Sequence, residues 1–267
     1  MHNYLILLLL NLMIFSCAQK PEDNQEDGLQ SFGEPANTPQ IFAPNTISLS
    51  SGIEFGLIRN HYDNEIYYSK LNPSNGNISV MVLKQTAADS WSLPQKALYS
   101  NSSRAASPSF TKKGKRVYFT SFRNSAVSRI WYSDRKSDNT WDEPKIVQLP
   151  DSIKSDIRNI CFVNDTTLYF DMHNGSNNND IFRAVLRGDI CISIEHTGPK
   201  INSVNPEVEA MVSPDESYMI FYSTNRAGHT GDPNSGDSYI SYKENGRWGD
   251  PLNMGTKIGR ASGRESV

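Results

Sequence analysis

The sequence has few of the residues that build metal centres and disulfide frameworks. Its 267 residues include three cysteines and five histidines, with no Cys-x-x-Cys or His-x-x-x-His spacing. A structural zinc site needs several closely spaced ligands of these kinds, so no metal site is predicted. The Gly-x-Ser-x-Gly turn that presents a nucleophilic serine is also missing, and we predict neither a catalytic residue nor a cofactor.

Basic charge and long apolar segments are scarce as well. The formal net charge is -3 and the isoelectric point is about 6.0, which argues against nucleic-acid binding because a basic surface is its usual footprint. The apolar run from Leu5 to Phe15 is interrupted by Asn11 and is shorter than the ~20 residues of a transmembrane helix. Its length is typical of the hydrophobic region of a signal peptide.

The end of this apolar run resembles the lipobox of bacterial lipoproteins. The residues Ile14-Phe15-Ser16-Cys17 predict that residues 1–17 are a lipoprotein signal peptide and lipobox and that Cys17 is lipidated; the alternative is an ordinary signal peptide with a chance cysteine. A lipid anchors a protein without spanning the bilayer. We therefore predict attachment to the bacterial outer membrane, facing the periplasm or the cell surface. Residues 18–40 are polar, acidic and proline-containing, which predicts a flexible tether.

A repeat occupies the rest of the chain. Prolines close four similar segments at Pro94, Pro144, Pro199 and Pro251, with spacings of 50, 55 and 52 residues. A period of this length indicates a solenoid, a propeller or an array. The segments contain short aromatic and β-branched runs between Asn, Asp, Gly and Ser clusters, which is typical of strands and turns.

Four strands for each repeat match the blade of a β-propeller. We predict an all-β chain with propeller repeats over residues 41–258, with four blades visible. In blade one the strands are expected around Phe55–Ile58, Glu65–Ser69 and Trp91–Pro94. Blades two and four also close on Trp-x-x-Pro, whereas blade three has no tryptophan and carries His196 at the position expected for it.

The segment from Ser213 to Arg226 resembles the repeat of TolB-type, WD-repeat-like β-propellers. It contains Ser213-Pro214-Asp215, an apolar strand and Ser223-Thr224-Asn225-Arg226. The downstream Trp248-x-x-Pro251 resembles the version found in lipoproteins of Bacteroidota. The resemblance covers about residues 44–258, is strongest in blades two and four, and implies architecture more than mechanism.

The C-terminal residues 259–267 do not continue this pattern. The sequence after Ile258 is small, charged and unpatterned, and it resembles a translated sequencing artefact; the alternative is a natural disordered tail. We therefore expect the propeller to be truncated, with further blades in the complete protein.

The loops before the third strand of each blade are the predicted binding surface, because loops at a propeller rim generally carry function. Their polar residues are Arg123, Asn124, His173, Asn174, Asn225, Arg226 and His229. The alternative is that the arginines, which occupy equivalent repeat positions, hold blade backbones together. Cys161 and Cys191 are expected to be buried free thiols, with a disulfide between them as the alternative.

These patterns leave three classes of function. The first is a lipid-anchored binding or scaffold module for an envelope protein or glycan, without catalysis. The alternative is a carbohydrate-active envelope enzyme, either a glycoside hydrolase or a lyase, on a propeller fold. The third class, implied by the TolB resemblance, is a structural component of an export or cell-wall-linked complex. A glycoside hydrolase needs paired carboxylates at a defined separation, and the sequence identifies no such pair.

Overall fold

The computed structural model describes residues 41–50, 52–60, 62–87, 90–97, 99, 104–175, 178–229 and 236–255. The predicted signal peptide with Cys17, the tether over 18–40 and the tail over 259–267 lie outside these residues. Within the described ranges the chain contains strands and no α-helix. Accordingly, no helix long and apolar enough to cross a membrane occurs in this part of the chain.

The described residues up to Ile146, apart from Val127–Arg129, belong to one compact unit with two antiparallel sheets. Blade one contains β1 (Ile53–Asn60), β2 (Glu65–Leu71), β3 (Ile78–Ala87), β4 (Ser90–Trp91) and β5 (Gln95–Lys96). Blade two contains β6 (Ala105–Phe110), β7 (Arg116–Ser121), β8 (Arg129–Asp134) and β9 (Lys145–Ile146).

The second compact unit begins at Val147, includes Val127–Arg129, and also contains two antiparallel sheets. Blade three contains β10 (Ile157–Phe162), β11 (Thr167–His173), β12 (Asn179–Arg187) and β13 (Ile190–His196). Blade four contains β14 (Glu207–Val212), β15 (Tyr218–Thr224), β16 (Gly236–Glu244), β17 (Arg247–Trp248) and β18 (Leu252–Asn253). The predicted all-β class and the four blades are therefore confirmed.

The first strand of every blade carries a β-bulge at the same place. The pairing register shifts after Phe55, Ala106, Arg158 and Val208. The next residue has a positive φ in each case, at Gly56, Ser107, Asn159 and Glu209. A bulge of this kind bends the strand, and only Gly56 adopts the left-handed conformation without steric cost.

Prolines divide the outer strand in three of the blades. In blades one and four two short strands pair in succession with the same neighbour, β4 and β5 with β3, and β17 and β18 with β16. The Trp-x-x-Pro segment lies at each interruption. Because proline has no N–H to donate, it is suited to such a break in an outer strand.

Blade three differs from the repeat that the sequence predicted. Its β13 is a single strand of seven residues with one register shift between Val185 and Leu186 of its partner. Phe182 pairs with His196 as Tyr239 pairs with Asn253 in blade four. His196 is therefore equivalent to Asn253. Cys191, paired with Leu186, occupies the tryptophan position that Trp248 fills opposite Lys243. Pro199 lies beyond β13, so the predicted equivalence of the four prolines is wrong for this blade.

Blade one also departs from its predicted strand order. The repeat predicts Glu65–Ser69 as the counterpart of the third strands of the other blades, but these residues belong to β2, the second strand, since Tyr67 pairs with Ile58 just after the bulge. The third strand is β3, whose residues are mostly aliphatic or polar and lack the aromatic pattern used to find the others.

The core of the first unit is shared by its two blades. Tyr67 and Val80 of blade one are in the same buried cluster as Phe110 and Phe119 of blade two. Trp141 packs against this cluster, with its ring 5.6 Å from that of Tyr99. In the second unit Trp248 of blade four contacts Tyr169 of blade three at 6.3 Å between ring centroids, so this tryptophan packs between two blades.

A buried ion cluster also joins the two blades of the first unit. The guanidinium of Arg135 donates two hydrogen bonds of 2.8 Å to the carboxylate of Glu65 and a third to Asp63. The side chains of Arg135 and Glu65 are each 2% exposed. Burial raises the pKa of Glu65, but hydrogen bonds from Arg135 and Tyr67 outweigh it and lower the pKa below its usual value.

Candidate functional site

A cleft of about 440 Å³ opens beside blade three, within the second unit. Its volume is in the range of small-molecule sites. The lining consists of Ser152–Ser155, Met172–Gly175, Asp180, Phe182 and His196. The first segment is the loop before β10, the second is the end of β11 and its turn, and the last three residues come from β12 and β13.

An aspartate–histidine pair lies at this cleft. Nε2 of His196 is 3.1 Å from Oδ2 of Asp180. Nδ1 of the same ring accepts a hydrogen bond from the N–H of Gly198 at 3.2 Å, which places the proton of the neutral imidazole on Nε2. His196 therefore donates to Asp180, and both of its ring nitrogens are engaged.

The neighbouring amide of Asn202 fixes this geometry. Its side chain accepts from the N–H of Ile181 at 2.8 Å and donates to the carbonyl of Ile181 at 2.9 Å. It also donates to Oγ1 of Thr197 at 3.0 Å, so both amide hydrogens have oxygen acceptors. Asn202 thus holds the turn after β13 against β12, and its Nδ2 lies 2.9 Å from Nε2 of His196.

One oxygen of Asp180 accepts no hydrogen bond from the described residues. Oδ2 accepts from Nδ2 of Asn174 at 2.7 Å as well as from His196, whereas Oδ1 is buried and accepts no hydrogen bond within the described ranges. The residue is 6% exposed. A buried carboxylate oxygen without a donor is costly to the folded chain.

The remaining lining combines an apolar wall with polar groups. The ring of Phe182 is stacked on Phe170 at 5.9 Å and meets the ring of His196 edge-on at 5.4 Å. Met172 lies beside it in the lining, and Lys154 supplies an exposed ammonium group. Nδ1 of His173 accepts from the N–H of Gly175, which leaves its Nε2 as the donor in the neutral ring.

Blade four shows what the same repeat position does elsewhere. Asp237 is equivalent to Asp180, because each lies two residues before the strand position that faces Asn253 or His196. Its Oδ2 accepts from Nδ2 of Asn253 at 2.7 Å and lies 3.4 Å from Nδ1 of His229. Asp237 is fully buried. The residue that is equivalent to His196 in blade four is Asn253, so within this unit the partly exposed histidine beside the aspartate occurs in blade three.

The predicted binding residues separate into different environments. His173 and Asn174 line the blade-three cleft. Asn124 and Asn225 are turn residues with positive φ. His229 is mostly buried near Asp237, so it is not an open rim group. Their binding roles stay predictions.

The two predicted rim arginines contact backbone. Arg123 donates to the carbonyl of Tyr99 at 3.1 Å, and Arg226 donates to the carbonyl of Ile201 at 2.5 Å. Tyr99 and Ile201 each precede the first strand of their own blade by six residues. Arg226 also forms a 3.0 Å ion pair with Glu207, whose side chain is fully buried. These contacts support the structural alternative for both arginines.

Sequence reasoning missed Asp180, His196 and Lys154 as candidates. The sequence pattern gives Asp180 no role, and it places His196 at the position expected for tryptophan. The signal that would have found them is the equivalence of Asp180 with Asp237, followed by the change of the facing residue from asparagine to histidine.

A second polar feature of this unit is the carboxyl of Asp171 on β11. It is fully buried, and its Oδ1 accepts from Nδ2 of Asn159 at 3.0 Å and from the N–H of the bulge residue Glu209 at 3.1 Å. Burial raises the pKa of Asp171 to about 7, although these two hydrogen bonds oppose the shift. The equivalent Ser69 of blade one accepts from the bulge N–H of Ser107 at 2.9 Å.

The two cysteines of blade three, Cys161 and Cys191, do not form a disulfide with each other. Cys191 is a buried free thiol, as predicted, so the alternative of a Cys161–Cys191 disulfide is wrong; the expectation of a free thiol is wrong for Cys161. Burial raises the pKa of the Cys191 thiol, which disfavours the reactive thiolate. In the described ranges no group of three or more His, Cys, Asp or Glu side chains is arranged to hold a metal ion.

Comparison with known proteins identifies the fold. No protein-family model matches the sequence, and no curated protein is similar to it. A solved structure assigned as TolB from Agrobacterium tumefaciens is similar with a TM-score of 0.50 and 14% identity, over 77% of this chain and 66% of that one. TolB from Acinetobacter baumannii gives 0.47 and 14%, over 78% and 45%.

A puromycin-hydrolysing peptidase from Mycobacterium tuberculosis is also similar, with a TM-score of 0.47 and 14% identity, over 78% of this chain and 32% of that one. The chain thus spans less than two thirds of the length of each of these structures. Identities this low concern the fold and leave activity open. The four antiparallel blades and the likeness to the Agrobacterium structure together give this chain the fold of a TolB-type β-propeller.

Proposed function

We propose that this protein is a lipid-anchored β-propeller of the bacterial cell envelope that binds a protein or a glycan without catalysis. The observation that carries the proposal is the blade-three cleft, where His173 and Asn174 lie beside the Asp180–His196 pair. Propeller loops generally carry function, and this cleft offers hydrogen-bonding groups fixed by rigid strands.

The arrangement of the cleft favours binding over hydrolysis. A glycoside hydrolase of the common type uses two carboxylates, and Asp180 is the single carboxylate among the described lining residues. A histidine that activates a serine needs a ring nitrogen directed at the hydroxyl, yet both ring nitrogens of His196 have other partners. These contacts support the binding function over the alternative of a carbohydrate-active enzyme.

Replacing Cys17 with alanine tests the envelope location. We expect the parent chain to sediment with membranes and the Cys17→Ala chain to become soluble in the periplasmic fraction, because the lipid would be the only anchor. Immunoblotting of fractionated cells measures the distribution, with Ser16→Ala, which retains the cysteine, as the control. A Cys17→Ala chain that remains in the membrane fraction, or a mature protein with intact Met1, would contradict the proposal.

Affinity purification of the full chain from solubilised envelopes tests the binding role. We expect a specific protein or glycan to co-purify and to be reduced at least tenfold when His173 and Asn174 are both changed to alanine. Leu93→Ser, an exposed position in the first unit that is 81% accessible, serves as the control. Turnover of a glycoside panel by the purified parent chain would instead favour the enzymatic alternative.

A further inference from the structure

We infer that the blade-three cleft is a carbohydrate subsite that binds a pyranose ring through neighbouring hydroxyl groups. The inference rests on the proposed binding function and specifies its ligand class. Its starting point is the carboxylate of Asp180, which lines the cleft and whose buried Oδ1 accepts no hydrogen bond in the described ranges. A ligand at this position must therefore bring a donor.

The cleft also contains hydrogen-bond donors, which complement the acceptor oxygens of Asp180. Lys154 carries donors, and the Nε2 of His173 carries the proton left by its Gly175 contact. Adjacent sugar hydroxyls act as donor and acceptor at once, so one can donate to Asp180 while the next accepts from a lysine or imidazole. An acceptor and donors in one cleft fit such a pair of hydroxyls.

The apolar wall suits the other face of a sugar. Phe182 and Met172 line the cleft, and the ring of Phe182 is held by its contacts with Phe170 and His196. The C–H groups of a pyranose ring form an apolar face that packs on such a surface while the hydroxyls bind polar groups. A small-molecule site commonly combines an apolar lining with a few fixed polar groups.

Charge argues against two other ligand classes. A phosphate or carboxylate would approach the ionised Asp180, and like charges repel. An ammonium group would suit Asp180 but would meet Lys154 in the same lining. A neutral polyhydroxylated ligand avoids both conflicts.

The test is a titration of the purified full chain with methyl glycosides of glucose, galactose, mannose and N-acetylglucosamine, followed by saturation-transfer NMR and calorimetry. Inorganic phosphate and lysine amide are titrated in parallel. We expect at least one glycoside to bind with a dissociation constant of about 1 mM, in the range for a small ligand held by a few polar contacts.

Two variants locate that binding. Asp180→Asn removes the acceptor charge with little change of volume, and His196→Asn recreates the Asp–Asn pair that blade four already contains. Each is expected to weaken binding at least tenfold, since a buried polar partner is lost. Lys200→Ala changes an exposed lysine of the same unit outside the cleft lining and should leave the affinity within twofold.

The inference is overturned if no glycoside binds, if both cleft variants bind like the parent, or if phosphate or lysine amide alone binds. Because His196→Asn reproduces a pair found in blade four, it remains informative if Asp180→Asn fails to fold. A chain that binds no glycoside yet retains a protein partner from envelopes would refute the carbohydrate subsite while leaving the proposed binding function intact.

Discussion

Replacing Arg135 with alanine is expected to lower the free energy of unfolding by about 3–5 kcal/mol, the range for breaking a buried ion pair. The reason is that Glu65 would remain almost fully buried with its charge uncompensated. Its other cation, Lys84, lies 3.3 Å away but is 57% exposed and is therefore a weaker partner. Urea unfolding of the full chain, followed by fluorescence, measures the loss.

The adjacent residue provides the control. Lys136 forms a 3.6 Å pair with Asp142 in which both side chains are nearly half exposed, and exposed pairs contribute at most about 1 kcal/mol. Lys136→Ala should therefore be nearly neutral. The double variant Glu65→Leu with Arg135→Met should recover part of the loss, because it removes both buried charges. Equal effects of Arg135→Ala and Lys136→Ala would show that the buried pair is unimportant.

Replacing Asp171 with asparagine is expected to stabilise the protein by a few kcal/mol at pH 8 and to have little effect near pH 4. The folded carboxyl has a pKa of about 7, and the unfolded one has its ordinary value near 3.8. Between these values the folded chain binds one proton more than the unfolded chain. By linkage, stability from this group is fully present below about pH 4 and is lost as the pH rises to about 7.

The difference between variant and parent isolates this group from other titrations. Unfolding free energies are measured at each pH for both chains and subtracted. Asp215→Asn provides a matched control, because hydrogen bonds from Ser217 and Ser213 lower the pKa of that carboxyl, which is near the surface. The charged groups of Arg158 and Glu209 also act on Asp171. A pH-independent difference for Asp171→Asn would contradict the raised pKa.

The sequence was sufficient to predict the blades that follow the repeat closely. In blades two and four the aromatic strands and the Trp-x-x-Pro segments lie where the pattern placed them. Blade one was misaligned because β3 lacks aromatic residues, so the adjacent second strand resembled the missing third one. Pro199 was misleading in another way, since a proline just after a strand and one that interrupts it look alike in sequence.

The candidate site was less accessible to prediction for a physical reason. A loop pattern identifies His173 and Asn174, but the cleft also depends on which strand residues face each other. Asp180 and His196 are 16 residues apart and are brought together by the register of β12 with β13. The arginines were misleading because a repeated charged residue in a loop can equally serve to hold backbone, as Arg123 and Arg226 do.

The proline-divided outer strands affect how copies of the protein behave when crowded together. An outer strand has free backbone groups that can recruit a strand from another molecule, and short or proline-containing strands limit this self-association. The outer strands of blades one and four are two residues long, so they offer few backbone groups with which a strand of another molecule could pair. The outer strand β13 of blade three has no proline break and exposes Ile190 and Ile192. Its first residues are already covered, since the N–H of Cys191 donates to the carbonyl of Gln148 at 2.9 Å and the N–H of Gln148 donates to the carbonyl of Asp189 at 2.8 Å. Resistance to fibre-like aggregation is therefore unevenly distributed among the blades, and the part of β13 beyond its contact with Gln148 is a position where a proline or a charge would improve it.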